Sequence, residues 1–295
     1  MTDDPALDIK IHAETIAAQL PALLIDAQRV ASTVSQGVHG RRRVGQGETF
    51  WQFRRYETGD TASAIDWRQS AKSRRLYVRE SEWEAAQTTW LWCDASPSMH
   101  YVSTPGLPTK ASRAALLLLA TAYLLMHAGE RFTLLGSGVS ARSGRSAYDR
   151  LAESLLEQEN TDKSLPAFQP LPRYAQILIF TDCLSPLEEI NDTITQFATR
   201  GASGQVVQIL DPAEESLPFA GRVRFQGMEA EGEHLLGRAQ SARAAYRNRL
   251  ADHRDTLRDI TRRAGWGFLA HRTDNSPESV LLALYAALSP QTKRQ

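Results

Sequence analysis

The run TTWLWCDASPSMHY, from Thr88 to Tyr101, ends a hydrophobic stretch in an acid and two serines at alternate positions, Asp94, Ser96 and Ser98. A second hydrophobic run, QILIFTD, ends in Asp182. Two carboxylates and two hydroxyls make an all-oxygen donor set, the kind a hard divalent ion such as Mg²⁺ takes while retaining several waters. The same residue types have a purely structural use: Asp and Ser cap helix N-termini, and DASPSM ahead of a helix reads equally as a capping loop. A shared site requires that the elements carrying Asp94 and Asp182 lie side by side.

Those elements are legible from pattern. Beyond Gln87 short apolar runs alternate with amphipathic ones, which predicts strands over 88–93, 131–136, 176–181, 205–210 and 267–271. Helices are expected near 109–128, 147–158, 186–199, 238–264 and 277–288. Such alternation gives an α/β fold, a doubly wound and mainly parallel sheet covered on both faces. In that architecture ligands bind at the carboxyl ends of the strands, where strand order reverses. An extra element, an edge pair around 222–225, interrupts the alternation. Upstream, apolar residues at helical spacing between Ala6 and Val34, broken at Pro21, predict N-terminal helices. The expected organisation is therefore helices over 1–36, a small Arg- and aromatic-rich β subdomain over 37–87 with strands at 49–56 and 76–80, and the α/β domain over 88–295.

Composition narrows the class. With 42 % hydrophobic and 23 % charged residues and a formal net charge of zero over 295 residues, the chain reads as an ordinary globular protein with no global field for nucleic acid or anionic lipid. Cys93 and Cys183 form no spaced metal or redox pair and are expected to pack as small hydrophobes. The longest apolar run, Ala114 to Met126, is too short to cross a bilayer, and the acidic N-terminus lacks signal-peptide features, so a cytoplasmic protein is expected. The seven histidines show no metal-ligand spacing.

DASPS between a hydrophobic strand and a helix resembles the D-x-S-x-S of von Willebrand factor A domains, and the TD at 181–182 resembles their last acid. The resemblance implies a metal-ion-dependent adhesion site, in which Asp94, Ser96, Ser98 and Asp182 hold Mg²⁺ and one open position accepts a carboxylate from a partner protein. The family also draws a threonine from a later loop. The corresponding SARSGRSAYDRL has none, so Ser143 or Ser146 is the expected substitute, with Arg145 as an alternative whose guanidinium replaces the ion.

A second constellation, FWQFRRYETGDTASAIDWRQSAKSRRLYVRE, brings Arg54, Arg55, Tyr56, Asp60, Asp66, Trp67 and Arg68 into one segment. These residues suit either a network of charge-assisted hydrogen bonds that holds a subdomain with few apolar residues or a partner-binding surface. The order E-x-F-x-x-x-R-x-Y-x-x-G-D, then I-D-W-x-x-S-A and L-x-V-R-E, with DPAEES further on, resembles the bacterial family called domain of unknown function 58. That resemblance implies a von Willebrand factor A-like domain with a β-rich insertion, encoded beside MoxR-type AAA+ ATPases and acting as a non-enzymatic adaptor or co-chaperone between the ATPase and a client. Two rivals use the same residues: a Mg²⁺-dependent phosphohydrolase built on Asp94 and Asp182, and single-stranded nucleic-acid binding through the Arg/aromatic segment. The chain has neither a G-x-x-x-x-G-K-[ST] loop nor a G-x-S-x-G elbow to support nucleotide or acyl chemistry.

Overall fold

The computed structural model describes residues 43–45, 49–56, 65–72, 75–83, 88–156, 163–228 and 232–288. The described residues fall into two compact units, one before and one after the Gln87–Thr88 boundary. In the smaller one, β1 (Arg43–Gly45), β2 (Thr49–Arg55) and β3 (Tyr77–Trp83) form an antiparallel sheet in the order β1-β3-β2. A four-residue helix, α1 (Trp67–Ser70), closes onto it through Ser70, whose buried hydroxyl accepts the Tyr77 N–H at 2.9 Å. The helices expected over 1–36 lie outside the described residues.

The larger unit is the expected doubly wound sheet. Five strands, β4 (Thr88–Cys93), β5 (Arg131–Leu134), β6 (Gln176–Thr181), β7 (Ser203–Leu210) and a later strand at Gly267–Arg272, are all parallel. Their side chains alternate between two cores, as a pleated strand with both faces covered requires. Leu91, Cys93, Leu178, Phe180, Val207 and Ile209 face one way, against α2 (Lys110–His127), α3 (Arg145–Leu156) and a C-terminal helix at Pro277–Leu288. Trp92, Ile177, Ile179 and Val206 face the other way, against α4 (Leu187–Ala198) and a long helix at Ala239–Arg263.

Three local departures from the sequence expectation have physical causes. The strand expected over 131–136 stops at Leu134 because Gly136, at φ 90°, turns the chain, which returns only for a single antiparallel bridge between Phe132 and Arg142. The element around 222–225 is not an edge of the main sheet: β8 (Val223–Gln226) pairs with β9 (Glu233–Leu236) alone. A short helix not expected from periodicity, α5 (Pro212–Ser216), follows β7; the three C-terminal elements are then α6 (Ala239–Arg263), β10 (Gly267–Arg272) and α7 (Pro277–Leu288) in chain order.

Candidate functional site at the strand tips

The sheet order β10-β7-β6-β4-β5 places the reversal at β4, because the chain moves to one side of it for β5 and to the other for β6. Asp94 and Asp182 therefore stand at the carboxyl ends of adjacent strands, with Cys93 opposite Phe180 and the Asp94 N–H donating to the Phe180 carbonyl at 2.9 Å. The condition set by the sequence is met: the two acids stand side by side, both buried at the strand tips.

Each strand-end acid first organises its own loop. Asp94 accepts from the Ser96 N–H at 2.8 Å, Asp182 from the Leu184 N–H at 3.0 Å, and Asp211, after β7, from the Ala213 N–H at 2.8 Å. This i to i+2 bond is the Asx-type turn, which lets a buried strand end in a polar side chain without leaving backbone groups unpaired. Asp94 thus orders its loop but caps no helix: DASPS leads into a 3₁₀ turn at Pro97–His100 whose N-cap is Ser96, and α2, which begins only at Lys110, is capped by Thr109.

The second carboxylate oxygens tie the tips together. Thr181 donates its hydroxyl to Asp94 at 2.7 Å, and Ser98 donates to Asp182 Oδ2 at 2.7 Å. The Ser96 and Ser98 hydroxyls lie 3.2 Å apart, which joins the two serines of the run. Asp94, Ser96 and Asp182 are all buried. Burial pushes the Asp94 carboxyl up to about 6; hydrogen bonds from Ser96 and Thr181 pull it down, and the Asp182 charge adds to the rise.

The residue that completes the site is Lys110, the first residue of α2, whose side chain is fully buried. Its ammonium donates to Asp182 Oδ2 at 2.9 Å and to Glu214 Oε1 at 2.6 Å. Burial lowers the ammonium pKa, but the Asp182 and Glu214 charges outweigh it, and the net shift is upward. Lys110 is therefore a fixed cation. Glu214 is held in turn by a capping box, its other oxygen accepting the Asp211 N–H at 2.8 Å, and Tyr246 donates to its carbonyl. Beneath the cluster, buried Gln208 donates to the Asp182 carbonyl at 3.1 Å and accepts from Arg254 at 2.8 Å.

This arrangement does not suit Mg²⁺ as it stands. Among the described residues no group of three or more His, Cys, Asp or Glu is gathered for a metal. Asp182 Oδ2, an expected ligand, already accepts two hydrogen bonds, one of them from an ammonium. An ion bound directly through that oxygen, at a Mg–O distance of about 2.1 Å, would stand within about 5 Å of the Lys110 nitrogen. At an effective dielectric of about 20 the repulsion is roughly 7 kcal/mol.

The remaining expected residues sit elsewhere or in simpler roles. Ser143 and Ser146 are exposed, and Ser146 accepts from Arg150 at 3.1 Å. Arg145 does not supply the cation near the acids: it is exposed, pairs with Asp149 one turn on at 3.3 Å and lies over the Tyr148 ring. Cys93 and Cys183 are buried, and burial pushes both thiols up, with the neighbouring carboxylates adding to the rise. In the smaller unit Arg55, Tyr56, Trp67 and Arg68 are exposed, Trp67 at 64 %, while Asp66 is half-buried and its N–H donates to the Tyr77 carbonyl at 2.9 Å. Asp60 and the side chain of Arg54 lie outside the described residues.

A doubly wound sheet with a D-x-S-x-S tip at its reversal point, joined to a small antiparallel subdomain, is the von Willebrand factor A-like architecture that the motifs imply. The chain belongs to the family described as Protein of unknown function DUF58, whose model matches residues 52–256. Similar proteins include Uncharacterized protein Mb1516 of Mycobacterium bovis and Uncharacterized protein Rv1480 of Mycobacterium tuberculosis. Each is 24 % identical over 287 residues, 92 % of this chain and 86 % of theirs. Among solved structures, the conserved hypothetical protein BatB from Bacteroides thetaiotaomicron aligns with TM-score 0.41 and 14 % identity over 68 % of this chain and 99 % of its own. The SpRpn10 VWA domain aligns with TM-score 0.35 and 8 % identity over 68 % and 95 %.

Proposed function

We propose that the protein is a non-enzymatic, cytoplasmic protein-binding module, an adaptor or co-chaperone that links a MoxR-type AAA+ ATPase to a client. The observation that carries this reading is the surface the strand-tip acids build. Leu184, 50 % exposed, is held by the bond from its own N–H to Asp182. Val102, 39 % exposed, sits beside Ser103, whose N–H donates to Asp211 at 3.0 Å. Buried carboxylates thus fix two loops that present large apolar side chains to solvent, which is how a protein-docking edge is made. Trp67, Tyr56 and Leu76 offer a second apolar surface on the smaller unit, where the Tyr56 N–H donates to the Leu76 carbonyl at 3.0 Å. Among the described residues no helix is long and apolar enough to cross a membrane.

A phosphohydrolase built on Asp94 and Asp182 would need their carboxylates open to metal or substrate, and both oxygens of each are engaged by protein donors. The finer version of the binding reading, with Mg²⁺ held by Asp94, Ser96, Ser98 and Asp182 and open to a partner's Asp or Glu, requires Lys110 to withdraw. The test is binding of the purified chain to a MoxR-type AAA+ ATPase, for wild type, Leu184→Asp and Trp67→Ala. Loss of a hot-spot side chain weakens capture by about 10-fold or more. Wild-type capture that neither substitution weakens would refute the surfaces, and no capture by wild type would refute the partner.

A further inference from the structure

We infer that the strand-tip site is a metal-free variant of an adhesion-type site, in which the Lys110 ammonium takes the place of Mg²⁺ as the resident cation. Four observations converge on it. The ammonium is fully buried and bridges two carboxylates from different elements, Asp182 at the end of β6 and Glu214 in α5, at 2.9 and 2.6 Å. It shares Asp182 Oδ2 with Ser98, the second serine of the D-x-S-x-S run, so it occupies the coordination space of the expected ion. Glu214 is preset for it by the capping box with Asp211, which leaves Oε1 free to point at the lysine.

The fourth observation is one of cost. Lys110 is the first residue of α2, where the helix dipole and the unpaired N–H groups disfavour a cation. A lysine placed against the dipole and fully desolvated persists only with strong compensation, and here both carboxylates supply it. The charge that Mg²⁺ would contribute to hold the tips of β4 and β6 and the α5 turn together is covalently built in.

The inference has two consequences. Metal uptake does not depend on what the protein binds; metal-independent partner capture rests on the protein-binding reading above. Mg²⁺ is titrated calorimetrically into the full wild-type chain, into Lys110→Met and into Lys110→Arg, with thermal unfolding followed in Mg²⁺ and in EDTA. Wild type and Lys110→Arg are expected to show no uptake and no change in Tm. Lys110→Met exposes Asp182 and Glu214 to one another and is expected to gain Mg²⁺ affinity by at least about 10-fold over wild type, with a Tm that rises with Mg²⁺. Saturable Mg²⁺ uptake by wild type that Asp94→Ala abolishes would overturn the inference, even if Lys110→Met proves too unstable to study. ATPase capture by wild type that survives EDTA supports the ammonium. Because an AAA+ ATPase itself uses Mg²⁺ with its nucleotide, the refuting result is capture by wild type that Asp94→Ala loses together with saturable Mg²⁺ uptake, which leaves the adaptor role intact; no capture in either condition refutes the adaptor role alone.

Discussion

Replacing Lys110 by Met keeps most of the apolar stem and removes the ammonium, with its charge and its hydrogen-bond donors. The two hydrogen bonds at 2.9 and 2.6 Å are lost, and Asp182 and Glu214 are left as buried carboxylates with no cation between them. Removing one partner of a buried ion pair costs about 3–5 kcal/mol, a large share of the 5–15 kcal/mol that holds a typical domain. Glu214→Gln alone leaves Asp182 to hold the ammonium and costs less, about 1–3 kcal/mol. The double variant removes one of the two uncompensated charges, so its loss falls short of the summed single losses by about 1 kcal/mol or more. Urea unfolding at neutral pH, with the m-value as a check on two-state behaviour, measures all three. A Lys110→Met variant within about 0.5 kcal/mol of wild type, or strictly additive losses, would refute the claim that the ammonium joins the strand tips.

Three further outcomes follow from particular contacts. Buried His271 is held neutral, with its pKa lowered to about 4 by burial first and by Arg113 second, against a weaker opposing pull from Asp274. Because the folded value lies below the unfolded one, this stability is complete above pH 6.5 and lost as pH falls towards 4, by up to about 3 kcal/mol. His271→Asn should lack that part of the acid-side slope, and parallel profiles for the two proteins would refute the assignment. Thr181→Val removes the hydroxyl that donates to Asp94 and accepts the Cys183 N–H. The Asp94 carboxyl should then titrate above about 6 by carbon-13 NMR. A raised carboxylate destabilises only when ionised, so the stability loss, about 1–3 kcal/mol, should be larger above pH 6 than below it. Gly204→Ala places a Cβ 2.6 Å from the Trp266 ring and 2.7 Å from the Ile177 carbonyl oxygen. The backbone oxygen cannot swing aside, so a loss of about 1–3 kcal/mol in urea unfolding is expected, and an unchanged midpoint would show that β7 shifts freely.

The strands of the main sheet were readable because apolar runs of four to eight residues between helical patterns have few other uses. β4 and β6 fall on the predicted residues, and the acids that end them announce the crevice. Lys110 was not readable in the same way, since its partners stand 72 and 104 residues along the chain and only the sheet brings them near. One signal was available: a lysine heading an apolar helix with no acid in its first turn runs against the helix dipole. A local rule broken in that way points to a site. The sequence DPAE likewise carried a legible capping box, Asp with Pro after it and Glu three residues on, which marks α5 although the helix is too short for periodicity to find. Arg145 shows the opposite failure. A guanidinium close in sequence to the missing threonine looked like the substitute cation, yet it lies on the exposed first turn of α3.

The central claim is that the cation at the strand tips belongs to the chain itself. Crystals of the full chain grown in Mn²⁺, an anomalous scatterer that stands in for Mg²⁺, test it directly. No anomalous peak is expected among Asp94, Ser96, Ser98 and Asp182, with the Lys110 nitrogen in hydrogen-bond contact with Asp182 and Glu214. A manganese peak bound by Ser96, Ser98 and Asp182, with Lys110 turned away from it, would show instead that a metal ion is the resident cation.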